Sequence, residues 1–206
     1  MLLPVQTNIQ QSRKLRRKTF GVELNSMFTI SIGFALFILL ALVGLTLPLI
    51  KVNLYVHIFL GSLLIIPVVF KTITTGYKIL RYYLRSDAYL KKGPPNSILR
   101  LLGPFVVILT YVLIISGVLL TVGPKSLRLN LLFIHKASFV LWFGAMTIHV
   151  LGHLKEMVQY GSKLVNHKKV PRITYIIAAM SVILSVPLAL LLAENTNNWL
   201  VWFHHL

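Results

Sequence analysis

The sequence contains no cysteine and only four acidic residues, and both shortages exclude classes of protein. Without cysteine the chain cannot form disulfides, cysteine-ligated metal clusters, a thiol nucleophile or a covalently attached c-type haem. The four acidic residues stand against 21 lysines and arginines, which gives a formal net charge of +17. The positive residues flank apolar runs, a placement that indicates a membrane protein beside anionic lipid rather than a nucleic-acid-binding protein.

Long apolar runs dominate the composition: 56% of the 206 residues are hydrophobic, and the mean hydropathy is +0.79. Five of these runs are each long enough to cross a hydrocarbon core of about 30 Å as a helix. We therefore predict an all-α transmembrane bundle of five spans that is surrounded by membrane lipid. The runs cover residues 27–50, 54–75, 101–122, 129–154 and 173–193.

The basic residues are divided unevenly between the two sides of these spans. Seventeen lie in the tail before the first span and in the connections 71–100 and 155–172, against four on the other side. By the positive-inside rule, the N-terminus and these connections face the cytoplasm and the C-terminus lies outside. We expect the connection 71–100 to continue the second helix along the membrane surface until Gly93-Pro94-Pro95 ends it. The aromatic residues of 195–206 are expected at the outer interface.

The fourth span carries three histidines, His135, His149 and His153. At about 100° per residue, His135 and His149 lie within roughly 40° of each other on one helix face, about 21 Å apart along the axis. His153 lies on that face one turn further in. Because ionisable side chains are costly in hydrocarbon, intramembrane histidines indicate a functional site.

The second span carries His57 near its outer end, at the depth predicted for His135, because both spans run from outside to inside. Gly61 follows His57 by one turn and leaves room for a flat macrocycle against the helix backbone. Two neutral imidazoles that face each other between helices can hold a b-type haem. The alternative is that each histidine is a polar residue hydrogen-bonded between helices.

These residues resemble the prokaryotic cytochrome b superfamily, the membrane b subunits of hydrogenases, formate dehydrogenases and thiosulfate reductases. The resemblance rests on HIFLG at 57–61, Lys71 and Gly76 on the same span, ISG at 115–117, and His135 and His149. It implies a four-helix haem bundle over residues 21–155 that passes electrons across the membrane, often to or from quinone. A basic cytoplasmic tail at 1–20 would precede this bundle. The inner loop, the fifth span and the outer aromatic tail at 156–206 would follow it.

Two features depart from that family: the fifth span lies beyond the matching residues, and the first span lacks a histidine that the family has. Its first span usually begins with a histidine that pairs with the inner histidine of the fourth span, whereas this chain reads RKTFGVELNSMF at 17–28. His149 therefore has no imidazole partner. Lys71 lies at the same depth, but a lysine must lose its proton to bind iron and more readily pairs with a haem propionate or reaches the interface. We expect one haem b rather than two, ligated by His57 and His135, and His149 ligates iron only if a second haem is bound.

The expected function is that of a one-electron carrier in a prokaryotic cytoplasmic membrane. Because the sequence contains no nucleotide-binding motif, we expect an electron-transfer subunit rather than a stand-alone enzyme, served by quinol or by an acidic redox partner subunit. Two alternatives remain open. One is a non-redox membrane protein that keeps the bundle and binds no haem. The other is a terminal reductase of an extracytoplasmic acceptor that uses the outer haem together with His204 and His205.

Overall fold

The computed structural model describes residues 4–86, 90, 97–165 and 171–196, with the backbone alone for 4–20, 97–98 and 164–165. All secondary structure in this part of the chain is helical. Short 3-10 turns, Leu47–Leu49 and Lys125–Leu127, precede the second and the fifth α-helix. The α-helices of these residues are α1 (Pro4–Thr46), α2 (Leu54–Leu63), α3 (Ile65–Tyr83), α4 (Ser97–Val122), α5 (Arg128–Val165) and α6 (Arg172–Glu194).

Five membrane-length segments occur within the described residues, and each overlaps one of the predicted spans. The prediction of an all-α protein with five helical segments long and apolar enough to cross a membrane is therefore confirmed for the described residues. The helix of the fourth span, α5, continues well past the predicted end of that span at residue 154, and α1 already begins in the polar tail. The segments are Gly21–Leu49, Leu54–Tyr83, Leu99–Val122, Lys125–Lys163 and Arg172–Glu194.

The second span consists of two helices, α2 and α3, with a break at Leu64. The backbone N–H of Leu64 bonds to the carbonyls of Gly61 and Ser62, which is tighter than α-helical spacing. Pro67 has no N–H to donate to the preceding turn, so the regular ladder cannot run through this point. The break lies one turn after Gly61 and separates the half of the span that carries His57 from the half that carries Lys71.

The two ends of the bundle differ in how the helices are connected. At the turn end, residues 47–53 join α1 to α2 and residues 123–127 join α4 to α5. Side-chain hydrogen bonds fix the antiparallel course of the first two spans. Thr46 of α1 pairs with His57 at the turn end, and Thr29 of α1 accepts from Lys71 toward the opposite end, which we call the loop end. The distribution of basic residues predicts that the loop end faces the cytoplasm.

The helices pack as two groups. In the first group, α1, α2, α3 and α6 enclose a core that includes Ile32, Leu64 and Ala189. In the second group, α4 and α5 pack mainly on each other around Val106 and Trp142. The two groups meet along narrower interfaces, in which α1 contacts α5 and α4 contacts α2 and α6.

The fifth span, α6, lies against the first three helices rather than at the margin of the bundle. Its buried residues are small except for one leucine and recur mostly every three or four positions, so they form one stripe on the helix. Small residues let helix backbones approach closely in a membrane, where packing rather than the hydrophobic effect holds helices together. The stripe consists of Thr174, Ala178, Ser181, Ser185, Ala189, Leu192 and Ala193.

Large apolar side chains cover the outside of the spans. Phe37, Ile108, Leu141 and Ile183, which lie in the middle parts of four different spans, are all exposed. A soluble protein rarely exposes apolar surface on this scale, whereas a membrane protein presents it to lipid tails. The outward surface is therefore consistent with lipid contact around the whole bundle.

Candidate functional site

His57 is held at the turn end by the last residue of α1. Its Nδ1 lies 2.7 Å from the Oγ1 of Thr46, which is buried. The same hydroxyl donates its one proton to the carbonyl of Val43 at 2.6 Å. Because a threonine hydroxyl has a single proton, the ring must be the donor in the first contact. His57 therefore carries its proton on Nδ1.

His135 is held in the same way by α4. Its Nδ1 lies 3.1 Å from the carbonyl oxygen of Leu113 and 3.1 Å from the Oγ of Ser116. A carbonyl oxygen only accepts, so Nδ1 must donate, and the hydroxyl of Ser116 donates to the same carbonyl at 3.0 Å. His135 therefore also carries its proton on Nδ1.

The shared tautomer determines what the two imidazoles can bind. With the proton on Nδ1, the Nε2 of each ring keeps its lone pair and can act as a metal ligand. Histidine ligands of metals usually donate the other ring N–H to a carbonyl, hydroxyl or carboxylate, which fixes the ring and raises its basicity. His57 and His135 both meet this condition through oxygen atoms of neighbouring helices.

The two imidazoles belong to different packing groups, His57 to the first and His135 to the second. They are close enough to interact electrostatically. Among the packed helix pairs, α2 contacts α4 and α6, and α5 contacts chiefly α4. The two imidazoles therefore lie near each other at the turn end, each on a helix of a different packing group.

Two glycines lie beside these rings, and they differ in what surrounds them. A Cβ placed on Gly61 meets no atom within 4 Å, so space adjoins α2 one turn from His57. A Cβ on Gly117 lies 3.1 Å from the Cε1 of His135, so a side chain there crowds the ring. Gly44, which is exposed, has the same open space, so the role of Gly61 beside a haem stays a prediction. Gly117 allows α4 to approach His135 closely.

Lys71 lies at the loop end of the second span and does not reach toward water. Its Nζ donates to the carbonyl oxygen of Thr29 on α1 at 2.6 Å. A Cβ on Gly33 falls 2.8 Å from Nζ, so the missing side chain at that position lets the lysine reach the backbone. The predicted pairing of Lys71 with a haem propionate stays a prediction, and the contact found is with a helix carbonyl.

His149 and His153 lie at the loop end of α5, with their ring centroids 4.9 Å apart. His153 Nδ1 is 3.3 Å from a carboxylate oxygen of Glu156, and both side chains are exposed. The Nδ1 of His149 is buried, and within the described residues it has no hydrogen-bond partner. His149 interacts electrostatically with His153 and Lys71. The hydrogen-bonding role expected for His149 has no support at Nδ1.

Some predicted features lie outside the described residues. They are His204 and His205, the aromatic tail and the Gly93-Pro94-Pro95 end of the inner loop. Conversely, the sequence did not single out Thr46, Ser116 or Gly117 as site residues. The ISG motif at 115–117 contained a signal for the last two, since a serine and a glycine interrupt an apolar helix there. Thr46 had no such signal, because only the fold brings it to His57.

The side-chain chemistry fits a haem ligated by two histidines, since His57 and His135 each donate from Nδ1 and keep Nε2 as a possible ligand atom. Among the described residues, no group of three or more histidine and acidic side chains could hold a metal ion. Comparisons with protein-family models, with curated proteins and with solved structures find no match for this chain. The candidate site is therefore defined by the hydrogen bonds of His57 and His135 alone.

Proposed function

We propose that this protein is a membrane b-type cytochrome that holds one haem b between His57 and His135. The observation that supports this most strongly is the shared tautomer, in which an oxygen of a neighbouring helix accepts from Nδ1 and leaves Nε2 for iron. A bound haem supplies reversible one-electron reduction at the turn end. His57 and His135 fix its orientation, and the surrounding apolar helices exclude water.

The protein would act as an electron-transfer subunit in a prokaryotic cytoplasmic membrane, with quinol or an acidic redox partner subunit as the other reactant. The division of basic residues supports a cytoplasmic loop end, which puts the haem near the outer face. A reporter enzyme fused after Leu206 should be active only outside the cytoplasm. Cytoplasmic activity of the fusion would reverse this orientation.

The test of the haem assignment uses asparagine as the substitute for each histidine. Asparagine carries an N–H at the same number of bonds from Cβ as histidine Nδ1, so it can still donate to Thr46 or Leu113, but it offers iron no imidazole nitrogen. We expect wild-type protein from haem-supplemented cells to show a b-type Soret band that shifts on dithionite reduction. We expect His57→Asn and His135→Asn to lose most of the bound haem while remaining folded.

His153→Asn is the matched control, because His153 is exposed and pairs with Glu156 rather than with a neighbouring helix. It should keep the wild-type spectrum. A colourless wild-type preparation would contradict the haem assignment. Full haem with an unchanged spectrum in both asparagine variants would contradict the choice of ligands.

A second candidate function follows from the same hydrogen bonds. His57 joins α2 to α1, and His135 joins α5 to α4, so both could serve only to hold helix pairs together in a non-redox membrane protein. On that account the wild type is colourless, and both asparagine variants have wild-type stability because they keep the N–H donors. The two candidates thus give opposite results in the same spectrum.

A further inference from the structure

The outward side of α3 stays apolar to the end of the helix. Ile73, Tyr77, Leu80 and Leu84 are exposed, and their spacing of four, three and four residues places them on one face, which we call the α3 stripe. Counted from Leu54 at 1.5 Å per residue, Leu80 lies about 39 Å along the span, beyond a hydrocarbon core of about 30 Å. The α3 stripe therefore continues from the depth of the lipid tails into the headgroup region at the loop end.

Tyr83 and Arg100 form a pair beside the α3 stripe and join the end of α3 to the start of α4. The guanidinium carbon of Arg100 lies 5.2 Å from the ring centroid of Tyr83, and a terminal nitrogen of Arg100 donates to the Tyr83 hydroxyl. Both side chains are exposed. Because the hydroxyl oxygen accepts, its own proton stays available, and the guanidinium has further N–H groups. The pair therefore presents several donors at one exposed point.

Arg81 lies on the other side of the α3 stripe from Tyr83, since two residues are separated by about 200° around a helix. It is half-buried, and a terminal nitrogen donates to the Oγ of Ser86 at 3.3 Å. Ser86 comes back to Arg81 because Arg85 adopts a left-handed conformation with φ 53°, which turns the chain after α3. The α3 stripe thus has a guanidinium on each side.

Two observations indicate what covers this surface. The α3 stripe continues the exposed apolar surface of Val69 and Phe70 on the same helix, so lipid tails rather than water are expected over it. Among the described residues, neither Arg81 nor Arg100 forms an ion pair with a carboxylate. Phosphate oxygens accept well from guanidinium and hydroxyl donors. A molecule that combines apolar chains with a phosphate and a net negative charge is an anionic phospholipid.

We propose that the loop end of α3 binds an anionic phospholipid, with its acyl chains on the α3 stripe and its phosphate on Tyr83 and Arg100. The hydroxyl and the guanidinium donate to phosphate oxygens, and Arg81 adds positive charge on the other side of the stripe. The lipid fixes the ends of α3 and α4 in the leaflet at the loop end. This site goes beyond the proposed electron transfer, because it lies at the opposite end of the bundle from His57 and needs no haem.

Native mass spectrometry of the full-length protein in detergent, titrated with phosphatidylglycerol, measures the affinity for the first bound lipid. We expect Arg100→Gln to weaken binding about fivefold and Tyr83→Phe, which keeps the ring, about threefold. The double variant should lose less than the product of these factors, because both groups contact the same phosphate and each other. Lys163→Gln and Tyr175→Phe are the matched controls, since both residues are exposed on other helices at the loop end, and they should bind like the wild type.

Two other ligands separate an anionic phospholipid from the alternatives. Phosphatidylcholine should bind about fivefold more weakly than phosphatidylglycerol, because its choline group cancels the phosphate charge. Inorganic phosphate should leave the lipid bound, because it cannot contact the α3 stripe. Unchanged binding in Arg100→Gln, equal losses in the control variants, equal binding of phosphatidylcholine or release of the lipid by inorganic phosphate would each overturn the inference. All these outcomes are independent of haem content, so failure here leaves the proposed function untouched.

Discussion

Histidine is used differently at the two ends of this bundle. At the turn end, His57 and His135 each donate from Nδ1 to an oxygen of a neighbouring helix. At the loop end, the buried Nδ1 of His149 has no such partner within the described residues, and its ring lies against His153 of the same helix. Both sites combine polar side chains with apolar spans, yet only the first fixes its imidazoles through a second helix.

This difference bears on where the proposed haem would be held. An axial imidazole works best when its orientation is fixed and its remaining nitrogen is free, and both conditions are met at the turn end. At the loop end, the buried Lys71 donates to the Thr29 carbonyl and links α3 to α1. The turn end is therefore the end where we propose the haem, and the loop end contains a contact between helices.

The largest effect on haem affinity is expected at Thr46, because its hydroxyl is the hydrogen-bond partner of His57 Nδ1. Thr46→Val keeps the shape of the side chain but removes the acceptor of His57 Nδ1. Loss of such an outer partner typically weakens metal binding about 10- to 100-fold, and we expect haem affinity to fall by that factor. Haem titration of the purified protein measures it. Thr147→Val is the control, since Thr147 is exposed and bonds only within α5; equal losses in both variants would contradict the role of Thr46.

The space beside Gly61 should be needed for haem but not for folding. Gly61→Leu meets no protein atom at its Cβ, so the haem-free protein should keep its stability. A side chain forced into an occupied site typically costs about 1–3 kcal/mol, which predicts a loss of haem affinity of roughly tenfold or more. Gly44→Leu, at the exposed Gly44 near the same end, should bind haem normally. Unchanged haem affinity in Gly61→Leu would place the cofactor elsewhere.

At the loop end the expected effect is on stability. Gly33→Ala places a Cβ against Nζ of Lys71 and should displace it from the Thr29 carbonyl. Losing a hydrogen bond to a charged group costs about 1.5–3 kcal/mol. The helix gains up to about 1 kcal/mol from alanine. We expect a net loss of about 1 kcal/mol in a reversible unfolding titration, with no change in haem content.

The sign of that effect should reverse when the lysine is absent. In a Lys71→Met background, Gly33→Ala has no Nζ to displace, so only the gain in helix propensity remains and stability should rise. The same loss in both backgrounds would show that Gly33 is constrained by something other than Lys71.

The smallest effect is expected at His149. Because its buried Nδ1 lacks a partner in the described part of the chain, an apolar replacement removes an unmet polar group rather than a hydrogen bond. His149→Leu should therefore leave the unfolding free energy unchanged or raise it by about 1 kcal/mol. His153→Leu, at an exposed site, provides the comparison. A strong destabilisation by His149→Leu alone would mean that this imidazole has a structural partner.

The spans and the candidate ligands could be read from the sequence for a clear physical reason. Twenty or so apolar residues must form a helix in a bilayer, because no water is present to satisfy the backbone. Within such a helix, seven-residue and fourteen-residue spacings fix which side chains share a face. The prediction that His57 and His135 lie at similar depths needed only these two rules together with the order of the spans.

Other parts of the site depend on contacts between helices, which no local pattern specifies. Nothing in the sequence distinguishes Thr46 from the other threonines, because only the turn at 47–53 brings it to His57. The bond from Lys71 to Thr29 depends on the absence of a side chain at Gly33 of another span. The packing of α6 on α1, α2 and α3 depends on its stripe of mostly small residues. The stripe is visible in the sequence, but the sequence does not show which helices it contacts.

Haem stoichiometry is the most direct test of the claim that the turn end alone holds the cofactor. A pyridine haemochrome assay on purified wild-type protein and on His149→Leu should give about one haem b per chain in both. The result follows because His57 and His135 would supply both axial nitrogens, and no other described helix carries a histidine at the loop end, where His149 lies. Two haems in the wild type falling to one in His149→Leu, or none in either protein, would contradict the account.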